Sequence, residues 1–156
     1  KQAQVRREYG DKTVRCDRWE SGDFPAWQCP KRDKWLYVGE SLQPVTNDIH
    51  RCLWAMPIDR KGRLKIAFDD VPAGRLTGHL GQTLPAVRSS RGKAVAFSVQ
   101  AGGRTVHAQE LGTHVEGLQF WDAGVISAGR VEFVIQSENQ VDRFFCFTAR
   151  VESGNE

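Results

Sequence analysis

The sequence predicts an all-β protein: a two-sheet antiparallel β-sandwich of jelly-roll type with an N-terminal extension stapled by a disulfide bond. Three observations carry this prediction. Short segments of alternating apolar and polar residues are separated by turn-forming residues at intervals of roughly 8–12 positions. Helical periodicity is nearly absent, because Gly, Pro or β-branched residues interrupt almost every window that is long enough for a helix. The chain also carries four cysteines, an even number.

The N-terminal part differs from the rest, and we divide the chain into an arm and stapled loop at residues 1–33 and a β-sandwich domain at residues 34–156. The first 14 residues are polar and charged, which predicts an arm or a short helix. Between Cys16 and Cys29, aromatic residues surround a Ser-Gly-Asp turn, which predicts a compact loop. We expect this aromatic-rich segment to cover the outer face of one sheet.

From residue 34 onward, period-two alternation predicts a series of strands. In residues 63–69, three apolar side chains share one face and charged side chains share the other, as in a half-buried strand. The Gly102-Gly103 pair predicts a tight hairpin turn. Residues 81–91 and 111–117 are expected to be strand-free connections. The predicted strands are residues 35–39, 51–56, 63–69, 93–100, 105–108, 130–136 and 143–151.

Two of these segments, residues 51–56 and 143–151, are apolar on both faces and therefore need cover on both sides of a sheet. They contain Cys52 and Cys146. Three pairings of the four cysteines are possible, and we favour Cys16–Cys29 with Cys52–Cys146, each bond typically contributing about 2–4 kcal/mol. A zinc site is disfavoured, because no Cys-x-x-Cys pair is present and no His lies at ligand spacing from two cysteines.

The disulfide prediction implies an extracytoplasmic location, whether secreted, periplasmic or at the cell surface. The alternative is a cytosolic domain with four reduced, buried cysteines. Because the chain begins with Lys1 rather than Met, we expect a processed protein or a piece of a longer one.

Length and charge limit the classes of partner. A chain of 156 residues is expected to form one domain with its own core. The formal net charge of +3 comes from 22 basic and 19 acidic side chains, and the basic residues are scattered, so we expect no nucleic-acid partner. No apolar run approaches the roughly 20 residues of a membrane span, so we expect no direct membrane insertion.

No motif in the sequence predicts an enzyme or a cofactor site. Neither a Gly-x-Ser-x-Gly elbow nor a phosphate-binding glycine loop is present. His114 lies near Glu110 and Glu116, a set that could bind a metal or transfer protons, but we favour solvated loop residues. The Asp69-Asp70 pair could supply glycosidase carboxylates, but its position before a proline favours a turn. We therefore predict a non-catalytic protein without metal or cofactor.

Tryptophan supplies the strongest indication of binding. Five tryptophans are a high count for 156 residues, and Trp19, Trp27 and Trp121 lie in segments interpreted as loops or loop edges. An exposed indole face beside Asp, Asn or Arg is a common way to hold a sugar ring. The alternative is that Trp19 and Trp27 fill the space under the stapled loop.

Two segments also carry a resemblance to a known family. Residues 74–81, GRLTGHLG, precede residues 94–106, AVAFSVQAGGRTV, where alternating apolar residues lead to a two-glycine turn. Together with residues 130–136 and 142–151, they resemble the galactose-binding-like jelly-roll superfamily over about residues 50–151. This resemblance implies a jelly roll whose carbohydrate-binding members hold a sugar in loops at one end of the sandwich.

These observations predict a non-catalytic binding module of a secreted or cell-envelope protein that recognises carbohydrate. The alternative is a protein–protein interaction domain that assembles an extracytoplasmic complex through an apolar outer face. A hydrolase centred on Asp69, Asp142 or His114 is a third, less favoured hypothesis. The candidate ligand-binding residues are Trp121, His79, His114, Arg143 and Asp142.

Overall fold

The computed structural model describes residues 3–21, 24–29, 37–58 and 62–153. Within these ranges β-strands are the main secondary structure, with one short helix. In chain order the elements are β1 (Ala3–Tyr9), β2 (Lys12–Arg15), β3 (Asp17–Ser21), β4 (Phe24–Gln28), β5 (Tyr37–Pro44), β6 (Ile49–Ala55), β7 (Gly62–Val71), β8 (Gly74–Gln82), α1 (Leu84–Arg88), β9 (Val95–Ala101), β10 (Arg104–Leu111), β11 (Gln119–Ile126), β12 (Gly129–Ser137) and β13 (Phe145–Glu152).

The strands form two antiparallel sheets. The first sheet has the spatial order β10-β9-β12-β7-β1-β2, and the second has the order β11-β8-β13-β6-β5-β4-β3. From β7 to β13 the chain passes from one sheet to the other at each step, except for the β9–β10 hairpin. The predicted fold class, a two-sheet antiparallel β-sandwich with a disulfide in its N-terminal region, is confirmed.

Aromatic rings from both sheets fill the core between them. Phe97 and Phe133 of the first sheet meet Phe147 of the second, with ring centroids 5.2 Å and 4.9 Å from the Phe147 centroid. Trp121 of β11 completes this cluster, with its ring centroid 5.5 Å from that of Phe97. Buried rings each remove roughly 150–250 Å² of surface from water, so this cluster contributes much of the hydrophobic stabilisation.

The alternating segments fold as predicted. Residues 63–69 lie within β7, residues 130–136 lie within β12, and the segments around 51–56 and 143–151 form most of β6 and β13. Gly102 and Gly103 connect β9 to β10 with φ of 57° and 74°, the left-handed backbone that a two-residue hairpin turn requires. The strand predicted at residues 35–39 begins outside the described residues, and β5 begins at Tyr37.

The N-terminal third differs from its prediction. The expectation of an arm or short helix at residues 1–14 is wrong for the described residues, because β1 pairs with β7 and β2 pairs with β1. Pairing with β7 holds this polar segment as a strand. One face of β1 is therefore buried, with the side chains of Ala3, Val5 and Arg7. The boundary expected at residues 33 and 34 lies outside the described residues. Each sheet contains strands from both sides of this boundary.

The stapled segment is a β-hairpin at the edge of the second sheet, where β3 pairs with β4 and β4 pairs with β5. It therefore extends that sheet, and the expectation that it covers the outer face is wrong. Instead, Val45 and Leu118 cover the outer face around Cys52 and Cys146.

Both predicted disulfides are present. Cys16 lies at the point where the chain passes from β2 in the first sheet to β3 in the second, and it is bonded to Cys29 after β4. Cys52 and Cys146 lie on β6 and β13, which are paired neighbours in the second sheet, with Cα atoms 5.7 Å apart. This second bond therefore joins distant parts of the sequence within one sheet rather than joining the two sheets.

Two strands, β8 and β11, lack a clear sequence signal. In β8, Leu76 and Leu80 are buried, but Gly78 takes the inward position between them. A Cβ atom at Gly78 would clash first with the backbone carbonyl oxygen of Thr148 on β13 and would lie 2.7 Å from the Trp121 ring, so the glycine leaves room for both the neighbouring strand and the indole. The connection expected at residues 81–91 is interrupted by α1. None of the described helical residues forms a segment long and apolar enough to span a membrane.

Candidate functional site

Two of the predicted ligand-binding residues lie on opposite faces of the second sheet. The prediction that Trp121 offers an exposed ring is wrong, because Trp121 is 1% exposed and packs against Phe97 and Phe133 in the core. His79 is partly exposed on the outer face of β8, where its ring lies edge-on to Phe120 with centroids 5.5 Å apart. The two residues therefore cannot contact one ligand together.

The prediction that Arg143 binds ligand is also wrong, because its side chain is 0% exposed. Its guanidinium group donates to the carbonyl oxygens of Ala86 at 2.9 Å, Arg91 at 2.7 Å and Thr113 at 3.1 Å, and to Oε1 of Gln82 at 3.0 Å. Burial lowers the pKa of this guanidinium. Arg143 thus joins the end of β8, helix α1 and the loop after α1 to the loop after β10.

Asp142 and His114 take part in contacts among the same loops. Asp142 accepts hydrogen bonds from the Ser89 hydroxyl at 2.7 Å and from the Arg91 guanidinium at 2.9 Å. The Ser89 bond, followed by the contacts with Arg91, holds the pKa of the Asp142 carboxyl below its usual value. His114 Nδ1 donates to the carbonyl oxygen of Val87 at 2.8 Å. Both side chains therefore support the loop structure.

The described residues do not join Asp69, Asp142 and His114, the centre of the hydrolase hypothesis, in one hydrogen-bonded group. Asp69 accepts hydrogen bonds from Gln4 and Arg130, both at 2.7 Å, and it shares no hydrogen-bond partner with Asp142 or His114 in the contacts of the described residues. Within the described part of the chain, no three His, Cys, Asp or Glu side chains are grouped as metal ligands.

A cleft at the N-terminal edge of the sandwich is the best candidate for a polar binding site. It has a volume of about 460 Å³, and we name it the Trp27 cleft. Its walls come from the start of β1, the crossing from β2 to β3, strand β4 and the end of β7. The lining residues are Ala3, Gln4, Val5, Arg15, Cys16, Asp17, Arg18, Trp27, Asp69 and Asp70.

Strand pairing holds the Trp27 ring in this cleft. In β4, Trp27 lies opposite Val38 of β5 on one side and Arg18 of β3 on the other. The ring is partly buried and packs against the main core, which restricts its orientation. The Cys16–Cys29 disulfide closes the same hairpin. A platform fixed in this way loses little conformational entropy when a ligand binds.

The polar side chains of the cleft carry both signs of charge. Asp69 accepts hydrogen bonds from the amide of Gln4 and from the guanidinium of Arg130, which fix the orientation of its carboxylate. Asp70 has a left-handed backbone, with φ of 58°, where the chain turns from β7 towards β8. Arg15 adds a guanidinium group to the lining. The cleft can therefore both accept and donate hydrogen bonds around one indole ring.

Sequence reasoning identified only part of this cleft. It named Trp27 and the Asp69-Asp70 pair, but it gave no reason to bring them together. The missing information is the pairing of β1 with β7, which places Gln4 opposite Ala67 and brings the chain start beside Asp69.

The sequence was also compared with known proteins. No model of a known protein family matches the chain, and no curated protein matches it.

Proposed function

We propose that this protein is a non-catalytic binding module that recognises carbohydrate in the Trp27 cleft. The observation that carries the proposal is a partly exposed indole ring, fixed against the core, in a cleft whose other functional groups are carboxylate, guanidinium and amide.

This combination suits the chemistry of a sugar. One face of a pyranose ring is apolar and packs on an aromatic ring, while its hydroxyl groups both donate and accept hydrogen bonds. The carboxylates of Asp17, Asp69 and Asp70 can accept from hydroxyl groups, and the guanidinium of Arg15 can donate to them. Because both signs of charge are present, the cleft favours a neutral sugar over a polyanion.

The proposal extends to cellular location. Two disulfides support a protein that folds in an oxidising compartment, outside the cytoplasm. The resemblance of residues 50–151 to the galactose-binding-like superfamily supports the proposed ligand class, since its carbohydrate-binding members hold a sugar at one end of the sandwich.

A glycan array with the full, disulfide-intact chain tests the proposal, followed by titration of any retained neutral oligosaccharide. We expect Trp27→Ala to weaken binding about tenfold or more, the value of one aromatic contact with the ring, whereas Trp27→Phe keeps a platform and loses less. Phe120→Ala, which removes an exposed ring on the outer face of the second sheet, is the matched control and should bind as the wild type does.

Two results would count against carbohydrate recognition in the cleft. Binding to no glycan would remove the ligand class, and unchanged affinity in Trp27→Ala would move the site elsewhere. Thermal unfolding of each variant checks that Trp27→Ala remains folded.

Protein assembly is a second candidate, which one observation favours. Phe120 and Val125 are 56% and 79% exposed, and both lie on β11, an edge strand of the second sheet. Exposed apolar residues on an edge strand favour pairing with another chain. A mass that rises with concentration in light scattering, lost in Val125→Lys, would support assembly through this edge.

A further inference from the structure

The Cys16–Cys29 disulfide joins the two walls of the Trp27 cleft. Cys16 lines the cleft, and its backbone N–H donates to the carbonyl oxygen of Val5 at 2.9 Å, which ties it to β1 in the first sheet. Cys29 follows β4 in the second sheet and lies two positions after Trp27. The bond therefore couples the strand that carries the aromatic ring to the β1 wall of the same cleft.

Apart from this bond and the packing of Trp27 on the core, a short pairing holds β4 in place. The neighbouring strand β3 is the outermost strand of the second sheet, and β4 meets β5 in three register pairs, from Ala26 with Gly39 to Gln28 with Tyr37. By comparison, β8 and β13 share eight register pairs inside the sheet. An edge hairpin with so short a pairing is expected to open locally at a lower free energy than the central strands.

The other disulfide, Cys52–Cys146, lies in a different setting. Its strands, β6 and β13, are each paired on both sides within the second sheet, and Val45 and Leu118 cover its outer face. All four cysteines are at most 5% exposed, so a thiol reductant reaches either bond only when the chain around it opens. Because the edge hairpin opens more readily, its disulfide is the one that a reductant meets first.

Reduction of Cys16–Cys29 changes the packing at the end of β4. Two thiols in contact need more room than two bonded sulfur atoms, and both cysteines lie in the close-packed main core. Cys16 stays with β1 through its bond to Val5, so Cys29 and the end of β4 are the side that moves. Loss of the cross-link also gives the opened hairpin more conformational freedom. Both effects favour separation of β4 from β5 and withdrawal of the Trp27 ring.

We propose that the Cys16–Cys29 bond is a redox switch for the Trp27 cleft, which binds in the oxidised state and loses its aromatic wall in the reduced state. The reductant is a dithiol: one thiolate attacks a cysteine sulfur, which breaks the disulfide and forms a mixed disulfide, and the second thiolate then displaces that cysteine. Two electrons and two protons pass to the protein, and the products are two cysteine thiols and the oxidised dithiol. The inference rests on the proposed function, because the cleft that it regulates is the proposed sugar site.

Limited reduction of the full, disulfide-intact chain with dithiothreitol tests which bond opens first. Free thiols are blocked with iodoacetamide after increasing times, and peptide mass spectrometry locates them. We expect Cys16 and Cys29 to be blocked at least about tenfold faster than Cys52 and Cys146, because the edge of the sheet opens at a lower free energy than its middle. Earlier or simultaneous blocking of Cys52 and Cys146 would overturn the proposal.

Amide hydrogen exchange of the ¹⁵N-labelled chain tests whether reduction releases the hairpin. In the reduced chain, before any blocking, exchange at residues 26–28 of β4 should rise about 30-fold or more, the effect of losing a cross-link, while β13 stays protected. Reoxidation with oxidised glutathione should restore slow exchange. The double substitution Cys16→Ser with Cys29→Ser should behave as the reduced chain does. The matched control, Cys52→Ser with Cys146→Ser, should keep β4 protected.

Binding separates a failure of the switch from a failure of the proposed function. A neutral oligosaccharide that the oxidised chain retains on the glycan array should bind the reduced chain about tenfold more weakly, as in Trp27→Ala, and reoxidation should restore the affinity. Retention of no glycan would count against sugar recognition alone, because the exchange measurements use no sugar. The switch is overturned if reduction leaves exchange at residues 26–28 unchanged, or if the reduced chain binds the oligosaccharide as the oxidised chain does.

Discussion

Arg143 and Trp54 both bury polar atoms, but the atoms of the two side chains are in opposite states. The guanidinium of Arg143 is wholly enclosed, and carbonyl and amide oxygens from several loops accept its hydrogen bonds. The indole N–H of Trp54 and the hydroxyl of Thr83 have no partner within the described residues. A buried polar group with partners holds a fold together, whereas burial of one without partners lowers the stability of the fold.

The largest effect on stability is expected for Arg143→Met, which keeps an apolar side chain and removes the guanidinium. The acceptors Gln82, Ala86, Arg91 and Thr113 would then be buried without their donor. We expect the free energy of unfolding to fall by about 3–5 kcal/mol, measured by urea denaturation.

Arg143→Lys is the matched control, because it keeps the charge but lacks the planar fork that reaches acceptors in several directions. We expect its free energy of unfolding to lie between those of wild type and Arg143→Met. A loss below about 1 kcal/mol in Arg143→Met would mean that the loops do not depend on this side chain.

Arg143 also shows where prediction from sequence stops. It precedes an apolar strand beside Asp142, a pattern that fits a charged ligand contact as well as a structural one. Only the fold reveals that the carbonyls of α1 and of the loop after β10 converge on it. Trp121 is ambiguous for a similar reason. Polar residues nearby in the sequence suggest an exposed ring, but Trp121 is a core residue of β11.

The fold itself was more predictable where the information is local. The Gly102-Gly103 turn and the alternation in β9 specify a hairpin without reference to the rest of the chain. In contrast, β1 is polar and becomes a strand through pairing with β7, and Gly78 in β8 serves the Trp121 ring. Both depend on partners distant in sequence, which no local pattern encodes.

A smaller effect compares two buried hydroxyl groups directly. Ser137 is 3% exposed and its hydroxyl donates to the carbonyl of Asn139 at 2.9 Å, so Ser137→Ala should lower the free energy of unfolding by about 1–2 kcal/mol. Thr83→Val removes a hydroxyl that has no partner in the described chain and keeps the side-chain shape. Its free energy of unfolding should stay within about 0.5 kcal/mol of wild type or rise. Equal losses in the two variants would show that the Thr83 hydroxyl is satisfied in solution, which would contradict the contrast between the two hydroxyl groups.

The smallest expected effect concerns Asp142, and it depends on pH. The Ser89 hydroxyl, and then Arg91, lower the pKa of its carboxyl in the folded state. A lowered folded-state pKa means that the ionised form stabilises the fold above the unfolded value of about 3.9, and that this contribution is lost as the pH falls through the lower, folded value. Asp142→Asn should therefore be less stable than wild type at neutral pH, with a difference that shrinks below about pH 4. Urea denaturation at several pH values measures this, with Asp11→Asn in the β1–β2 turn as the control for charge, and a difference that does not change with pH would contradict the assigned role of the carboxylate.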